Sequence, residues 1–135
     1  MKRRLVCLVV APALFALGCG LSRGAVGEYS PTIDLKVETL GLMSRADEPY
    51  AEHAEEVEAL LLRLYKAAEY DRWYVGRELY RMWEVLLDPS EASVVGYFEL
   101  WSELGTLEPA FIDDALHGEE GIAVHFDRIL VAQFQ

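Results

Sequence analysis

The sequence predicts an all-α fold, a small bundle of four to five amphipathic helices that follows a flexible N-terminal tether. Two observations lead to this prediction. From Pro31 onward, apolar residues recur at steps of three and four, which is the spacing of one helix face. Helix-start and helix-stop residues separate these runs at short intervals, so the connections are short. Apolar stripes of this kind are buried when helix packs against helix.

The first two helices are predicted over residues 31–45 and 48–70. Ser30 and Pro31 form a start signal, a cap residue followed by proline in the first turn. Residues 33–38 also alternate as a strand would, but a single strand would have no partner here, so we predict a helix. The predicted core faces are Ile33, Val37, Leu40 and Met43 or Ser44 in the first helix, and Tyr50, Ala54, Val57, Leu61, Leu64 and Ala68 in the second.

The third and fourth helices are predicted over residues 72–87 and 91–104. The run Asp88-Pro89-Ser90 breaks the chain between them, and Gly105 ends the fourth helix. Their predicted core positions are Val75, Leu79, Met82 and Leu86 in the third helix, and Val94, Tyr97, Phe98, Trp101 and Leu104 in the fourth.

The last element is predicted as one long helix over residues 109–132, weakened and bent at its glycines. Gly118 and Gly121 offer a place to divide it, but the apolar positions keep the helical step across both, and a true break would reset that phase. We therefore expect a continuous helix. Its predicted core face consists of Phe111, Ala115, Gly118, Ile122, Phe126 and Ile129.

The most specific motif lies in the first nineteen residues. Basic residues occupy positions 2–4, an apolar run of about 13 residues follows over 5–17, and Gly18-Cys19 come next. This run suits a secretory signal and is short of the roughly 20 residues needed to span a bilayer. The segment resembles the signal peptide of bacterial lipoproteins. It departs from that pattern at Ala16, where the family usually has leucine.

The resemblance implies cleavage before Cys19, a diacylglycerol group on its thiol and an acyl chain on the new amine. The alternative is an ordinary secretory signal with an incidental cysteine. The implied domains are a cleaved signal peptide (1–18), a lipidated tether (19–30) and a single α-helical bundle (31–135). The implied location is the periplasmic face of the cell envelope, on the outer membrane if the host has one, because glycine and not aspartate follows the cysteine.

The chain after cleavage is strongly acidic. The whole sequence has 12 Lys and Arg against 23 Asp and Glu; losing the three basic residues of the signal leaves 9 against 23, a formal charge of −14. Phosphates are repelled by such a charge, so nucleic acid and anionic head groups are disfavoured as partners. Cys19 is the only cysteine left, so core packing must stabilise the fold without an internal disulfide.

No catalytic, cofactor or metal motif is found. The sequence has no nucleophile elbow, no glycine-rich phosphate loop, no zinc or haem signature and no EF-hand loop. We therefore predict neither an enzyme nor a cofactor or metal site. The acidic runs within 47–58 and 82–126 match the helix dipole, which is simpler than a cation site. His53 has Glu56 three residues on, yet it borders an apolar stripe, which favours a position at the rim of the core.

Residues 63–81 hold five of the nine basic residues, interleaved with aromatic ones. We single out Trp73, Arg77, Tyr80 and Arg81 as candidate partner-binding residues, because exposed Trp, Tyr and Arg are typical of binding hot spots. The alternative is intramolecular, with arginines neutralising neighbouring acidic helices and aromatic rings filling the core.

The downstream sequence contains the segments Trp83–Pro89, Gly96–Phe98, Trp101, Gly105–Leu107, Phe111–Ile112 and Phe126–Ile129. In these segments it is similar to small helical bacterial lipoproteins with no assigned activity. The predicted function is a non-catalytic, membrane-anchored lipoprotein that serves an unknown envelope protein as an interaction or accessory module. The alternative is a periplasmic helical bundle that binds a small ligand or metal.

Overall fold

The structure is a computed structural model that describes residues 30–90 and 92–135. Within these ranges the fold is all-α, with no strand, which confirms the predicted fold class. The signal peptide, Cys19 and the tether up to residue 29 lie outside the described residues. The elements are α1 (Pro31–Met43), a 3₁₀ turn (Tyr50–Glu52), α2 (Ala54–Tyr74), α3 (Arg77–Leu87), α4 (Val94–Leu104), α5 (Pro109–His117) and α6 (Ile122–Gln133).

Four helices form the centre of the bundle. The longest, α2, packs against α1 and α3, and α6 completes the arrangement by packing against the same two helices. Short helices cover this centre, α4 against α3 and α1, and α5 against α6. None of the described helices combines the length and apolar character that crossing a bilayer requires. The largest fully buried side chains are those of Trp83, Trp101, Tyr97 and Phe126.

Helix α1 begins where the sequence predicts but buries a different face. The Ser30 side chain accepts a hydrogen bond from the backbone N–H of Thr32 (3.2 Å), and Pro31 occupies the first turn. The predicted stripe through Val37 is wrong, since that side chain is exposed. Apolar residues lie on more than one side of α1, so its contacts with α2 and α6 decide which side is buried. The buried residues are Thr32, Leu35, Thr39, Leu42 and Met43.

The junction between α2 and α3 lies later than predicted. Helix α2 continues to Tyr74, and Gly76 adopts a φ of 142°, a conformation that favours glycine, before α3 begins. Trp73 therefore belongs to α2, and Val75 lies exposed in the turn. Met82 and Leu104, also predicted for the core, are exposed as well, and Trp83 takes the core position of α3.

The prediction of one continuous last helix is wrong. Helix α5 ends at His117 and α6 begins at Ile122, with a tight turn between them. The turn brings backbone so close that a Cβ atom on Gly118 would lie 2.5 Å from the Asp114 carbonyl oxygen. The helical phase does reset at this turn: of the predicted core residues in α5, Phe111 is exposed and Ala115 is only partly buried. Helix α5 buries Ile112 and Leu116, not Phe111 and Ala115.

Candidate functional site

One end of the bundle joins the start of α1, the end of α2 and the end of α6; we call it the Ser30 end. Gln133 connects the three helices here. Its Nε2 donates to Thr32 Oγ1 (2.9 Å) and to Asp71 Oδ2 (2.8 Å), and Ser30 Oγ donates to its Oε1 (3.4 Å). These contacts hold the start of α1 against α2 and α6.

A buried carboxylate extends this network to α3. Asp71 is buried, and Trp83 Nε1 donates to the same Oδ2 atom at 2.7 Å. A buried carboxylate is tolerated only where donors surround it, and here an indole and an amide supply them. These hydrogen bonds therefore join α1, α2, α3 and α6 beneath the surface of the Ser30 end.

The surface of the Ser30 end is rich in apolar side chains. Five large ones are between 58% and 76% exposed, and they lie in the last turn of α2, in the turn after it and just beyond α6. Tyr70 and Tyr74 stack on each other with ring centroids 4.5 Å apart. Apolar residues on the surface of a monomer are usually scattered, so a group of this size indicates a contact surface. The five are Tyr70, Trp73, Tyr74, Val75 and Phe134.

A groove of about 700 Å³ opens beside these side chains. Tyr70, Val75 and Phe134 belong to its walls, and Pro31 lies at the start of α1 on the same groove. Lys66 supplies a positive charge at this wall and makes no ion pair within the described part of the chain. The groove is therefore largely apolar, and it lies next to the first described residue of the chain.

An arginine links two of the four predicted binding residues. The guanidinium carbon of Arg72 lies 5.9 Å from the centroid of the Trp73 ring and 5.1 Å from that of Tyr80. Glu69 completes the group, accepting from Arg72 Nη1 (3.3 Å) and from Trp73 Nε1 (3.2 Å). Arg72 was not singled out from the sequence; its place directly before Trp73 was the available signal. We call Arg72, Trp73, Arg77, Tyr80 and Arg81 the arginine–aromatic cluster.

The two arginines of α3 differ from the other arginines that the structure describes. Arg77 and Arg81 are exposed, and neither makes an ion pair with any residue of the described ranges. In contrast, Arg63 donates to Glu38 of α1 (Nη2 to Oε1, 2.9 Å). The hydrogen bond from Arg63 lowers the pKa of the Glu38 carboxyl. Arg63 therefore neutralises an acidic side chain of a neighbouring helix, whereas Arg77 and Arg81 do not do so within the described residues.

The opposite end of the bundle, which we call the far end, holds a histidine among carboxylates. The His53 ring is buried beside Trp101, with ring centroids 5.4 Å apart. Its Nε2 lies 2.5 Å from Glu48 Oε2, and its Nδ1 lies 3.6 Å from Glu56 Oε1 without a hydrogen bond. Possible ligand atoms of Glu48, Glu52 and His53 all lie within 4.8 Å of one another. One imidazole nitrogen and two carboxylates are ligands that Zn²⁺ accepts.

Comparison with known proteins adds no family to this description. The chain matches no protein-family model, no curated protein and no solved structure. The function therefore has to be inferred from the two ends of the bundle and from the motif that precedes them.

Proposed function

We propose that this protein is a lipid-anchored, non-catalytic protein of the bacterial cell envelope that acts as an interaction or accessory module for another envelope protein. The proposed anchor is Cys19, on the resemblance of residues 1–19 to a lipoprotein signal peptide. The observation that carries the proposed binding role is the arginine–aromatic cluster on the last turn of α2 and the first turns of α3, whose members are exposed except for the partly buried Tyr80.

The cluster has the chemistry of a protein-binding hot spot. The Arg72 guanidinium lies 5.9 Å from the centroid of the Trp73 ring and 5.1 Å from that of the Tyr80 ring, so these rings lose little conformational freedom on binding. Arg77 and Arg81 lie four residues apart on α3, which places them on one helix face. Their guanidinium groups suit carboxylates on a partner, to which arginine can donate two parallel hydrogen bonds. The expected partner is a protein with an acidic, partly aromatic surface.

The binding role is tested by crosslinking in intact cells followed by recovery of the protein. We expect one stoichiometric partner with the native chain and a strong loss with the double variant Arg77→Glu/Arg81→Glu. Arg45→Glu is the matched control, because Arg45 is exposed and belongs to neither α3 nor the Ser30 end. Circular dichroism should show unchanged helicity in all variants. Undiminished recovery of the partner by the double variant would refute the assignment to this cluster.

The anchor is tested separately by mass spectrometry of the N-terminal peptide. The proposal requires a chain that begins at Cys19 and carries a diacylglycerol and an acyl group. Cys19→Ala should move the protein from the membrane fraction and abolish labelling by radioactive palmitate. An unmodified Cys19 in the native protein would refute the anchor and leave the test of the cluster intact.

A second candidate function is binding of a divalent cation at the far end. The observation that favours it is the buried His53 ring, whose neighbours are carboxylates and whose Nδ1 has no hydrogen-bond partner among the described residues. A ligand that binds only the folded state raises the melting temperature. We expect Zn²⁺ to raise the melting temperature of the native protein and not that of His53→Gln. Melting curves unchanged by Zn²⁺ would rule this function out.

A further inference from the structure

We propose that the Ser30 end of the bundle lies on the surface of an anionic phospholipid bilayer. In this arrangement the exposed aromatic and apolar side chains of that end sit at the lipid interface, and the groove beside Pro31 faces the membrane. This inference rests on the proposed lipid anchor and adds an orientation of the folded domain. The α3 face with Tyr80 and Arg81 then stands at the side, where a neighbouring membrane protein can reach it.

The chain before Ser30 is too short for an anchor on Cys19 to lie far from this end of the bundle. Cys19 precedes Ser30 by eleven residues, which span at most about 36 Å when fully extended. Helix α2, with 21 residues, is about 32 Å long and sets the length of the bundle. A lipid on Cys19 therefore keeps the Ser30 end close to the bilayer. Bringing the far end to the bilayer would need an almost fully stretched tether, which is entropically unfavourable.

This placement brings aromatic and apolar side chains to the lipid. Trp and Tyr combine an apolar body with a polar tip and are enriched where a protein meets the membrane interface. Trp73, Tyr70 and Tyr74 lie at the Ser30 end and are exposed, as are the purely apolar Val75 and Phe134. In contrast, Trp83 and Trp101 are fully buried in the core. The exposed indole and phenol rings therefore lie at the end of the bundle that the tether keeps close to the bilayer.

Charge is separated along the bundle. The net charge of the whole chain predicts repulsion from anionic head groups, but residues 63–81 hold five basic and three acidic side chains. Arg63 is paired with Glu38 and Arg72 with Glu69, and Asp34 also lines the groove, whereas Lys66, Arg77 and Arg81 make no ion pair within the described residues. One of the three, Asp71, is buried and bound by two donors. The acidic run at 47–58 lies at the far end, about the length of α2 away. Lys66, which makes no ion pair within the described residues, and Arg72, whose pair with Glu69 is exposed, can therefore approach lipid phosphates while the acidic end points away from the membrane.

The test uses the mature chain from residue 19 with Cys19→Ser, so that no lipid anchor contributes and the far-end and core residues are all retained. The sequence has three tryptophans, and only Trp73 is exposed, so a change in emission on binding reports on the Ser30 end. We expect a blue shift of Trp73 emission and quenching by brominated lipid in vesicles of phosphatidylcholine with phosphatidylglycerol. Pelleting with the vesicles measures binding without relying on tryptophan.

Two variants and a matched control sharpen the test. Lys66→Glu/Arg72→Glu should weaken partitioning to the anionic vesicles by at least about tenfold, because each basic side chain near the surface contributes to binding. Tyr74→Ser/Phe134→Ser should weaken pelleting and quenching together. The control Leu62→Ser/Leu104→Ser removes two exposed apolar side chains elsewhere in the bundle and should leave binding unchanged.

Three outcomes would overturn the proposal. Absence of a shift, of quenching and of pelleting with a chain that is helical by circular dichroism would exclude contact with lipid. Equal binding to vesicles of phosphatidylcholine alone would remove the role given to the basic residues. Recovery of a protein through Tyr74 and Phe134 without any vesicle binding would assign this surface to a protein partner. Failure of the anchor shows only in the mass of the Cys19 peptide, so the two proposals fail separately.

Discussion

The two ends of the bundle use polar and aromatic side chains in opposite ways. At the Ser30 end a carboxylate, Asp71, is buried and the aromatic rings of α2 are exposed. At the far end carboxylates are exposed, while Tyr97 and Trp101 are buried and donate to backbone carbonyl oxygens of Met43 (2.8 Å) and Glu48 (3.0 Å). The comparison separates aromatic residues that build the fold from aromatic residues that are free for contact.

Packing at the far end also holds the chain between α1 and α2. The backbone N–H of Tyr50 donates to the Gly105 carbonyl (2.8 Å), and that of Leu107 donates to the Ala46 carbonyl (2.6 Å). Burial raises the pKa of the Tyr97 hydroxyl, which therefore stays protonated and continues to donate at physiological pH. The far end is thus closed by its own side chains and backbone, whereas the Ser30 end leaves its rings uncovered.

The largest expected effect comes from removing one tryptophan at each end. Trp101→Ala should destabilise the fold by about 3–5 kcal/mol, because it leaves a cavity in a fully packed core. Trp73→Ala should change the free energy of unfolding by about 0.5 kcal/mol or less and weaken vesicle binding. Urea unfolding followed by circular dichroism measures both. Comparable losses of stability in the two variants would break the distinction between the ends.

The next effect concerns the buried carboxylate at the Ser30 end. Asp71→Ala leaves Trp83 Nε1 and Gln133 Nε2 without this acceptor, and a buried group left unpaired costs about 1–3 kcal/mol. Asp71→Asn keeps an oxygen that can accept, so its loss should be smaller. The midpoint of urea unfolding measures the difference. An equal loss in Asn and Ala variants would show that the charge, not the acceptor, stabilises this end.

A smaller effect is expected at the matching hydrogen bond of the far end. Tyr97→Phe keeps the ring and removes one donor, which should cost about 1 kcal/mol. The ring itself stays packed against Phe98 and Phe111, so helicity should not change. Thermal unfolding monitored by circular dichroism provides the measurement, and a loss as large as that of Trp101→Ala would mean that the hydroxyl, not the ring, holds this end together.

Local signals in the sequence account for much of the fold, and tertiary contacts account for what was missed. Ser30 and Pro31 predict the start of α1 because a cap and a first-turn proline act within one turn. The buried side of α1 and the break at Gly118 depend on neighbouring helices and on backbone approach, which the step of apolar residues does not record. The spacing of apolar residues is unbroken here only if Phe111 is taken as a core residue, whereas the structure buries Ile112.

The candidate site shows the same division. Interleaved arginines and aromatic residues in one stretch make Trp73, Arg77, Tyr80 and Arg81 candidates for binding, and this assignment stays a prediction. Phe134 is distant in sequence and joins the Ser30 end only because α6 runs back toward the start of α1. The network around Asp71 was likewise hidden, because its members come from four helices.

The smallest expected effect comes from breaking the surface ion pair between Glu38 and Arg63, which measures how much surface charge stabilises the fold. The hydrogen bond from Arg63 lowers the pKa of Glu38 in the folded state, so this pair stabilises the fold above the ordinary pKa of glutamate and loses that effect as pH falls through the lowered value. Glu38→Gln should therefore cost about 0.5 kcal/mol or less at neutral pH, because both side chains are nearly half exposed and solvent screens them. The cost should vanish in strong acid and shrink at high salt.

Urea unfolding of the native and Glu38→Gln chains at two pH values measures this difference. A loss of unfolding free energy above about 1 kcal/mol would mean that this surface ion pair stabilises the fold more than exposed pairs usually do. A small cost agrees with a division of roles in which buried rings and the Asp71 network stabilise the bundle. Lys66, Arg77 and Arg81 make no ion pair within the described residues, so their reversal should change binding far more than it changes stability.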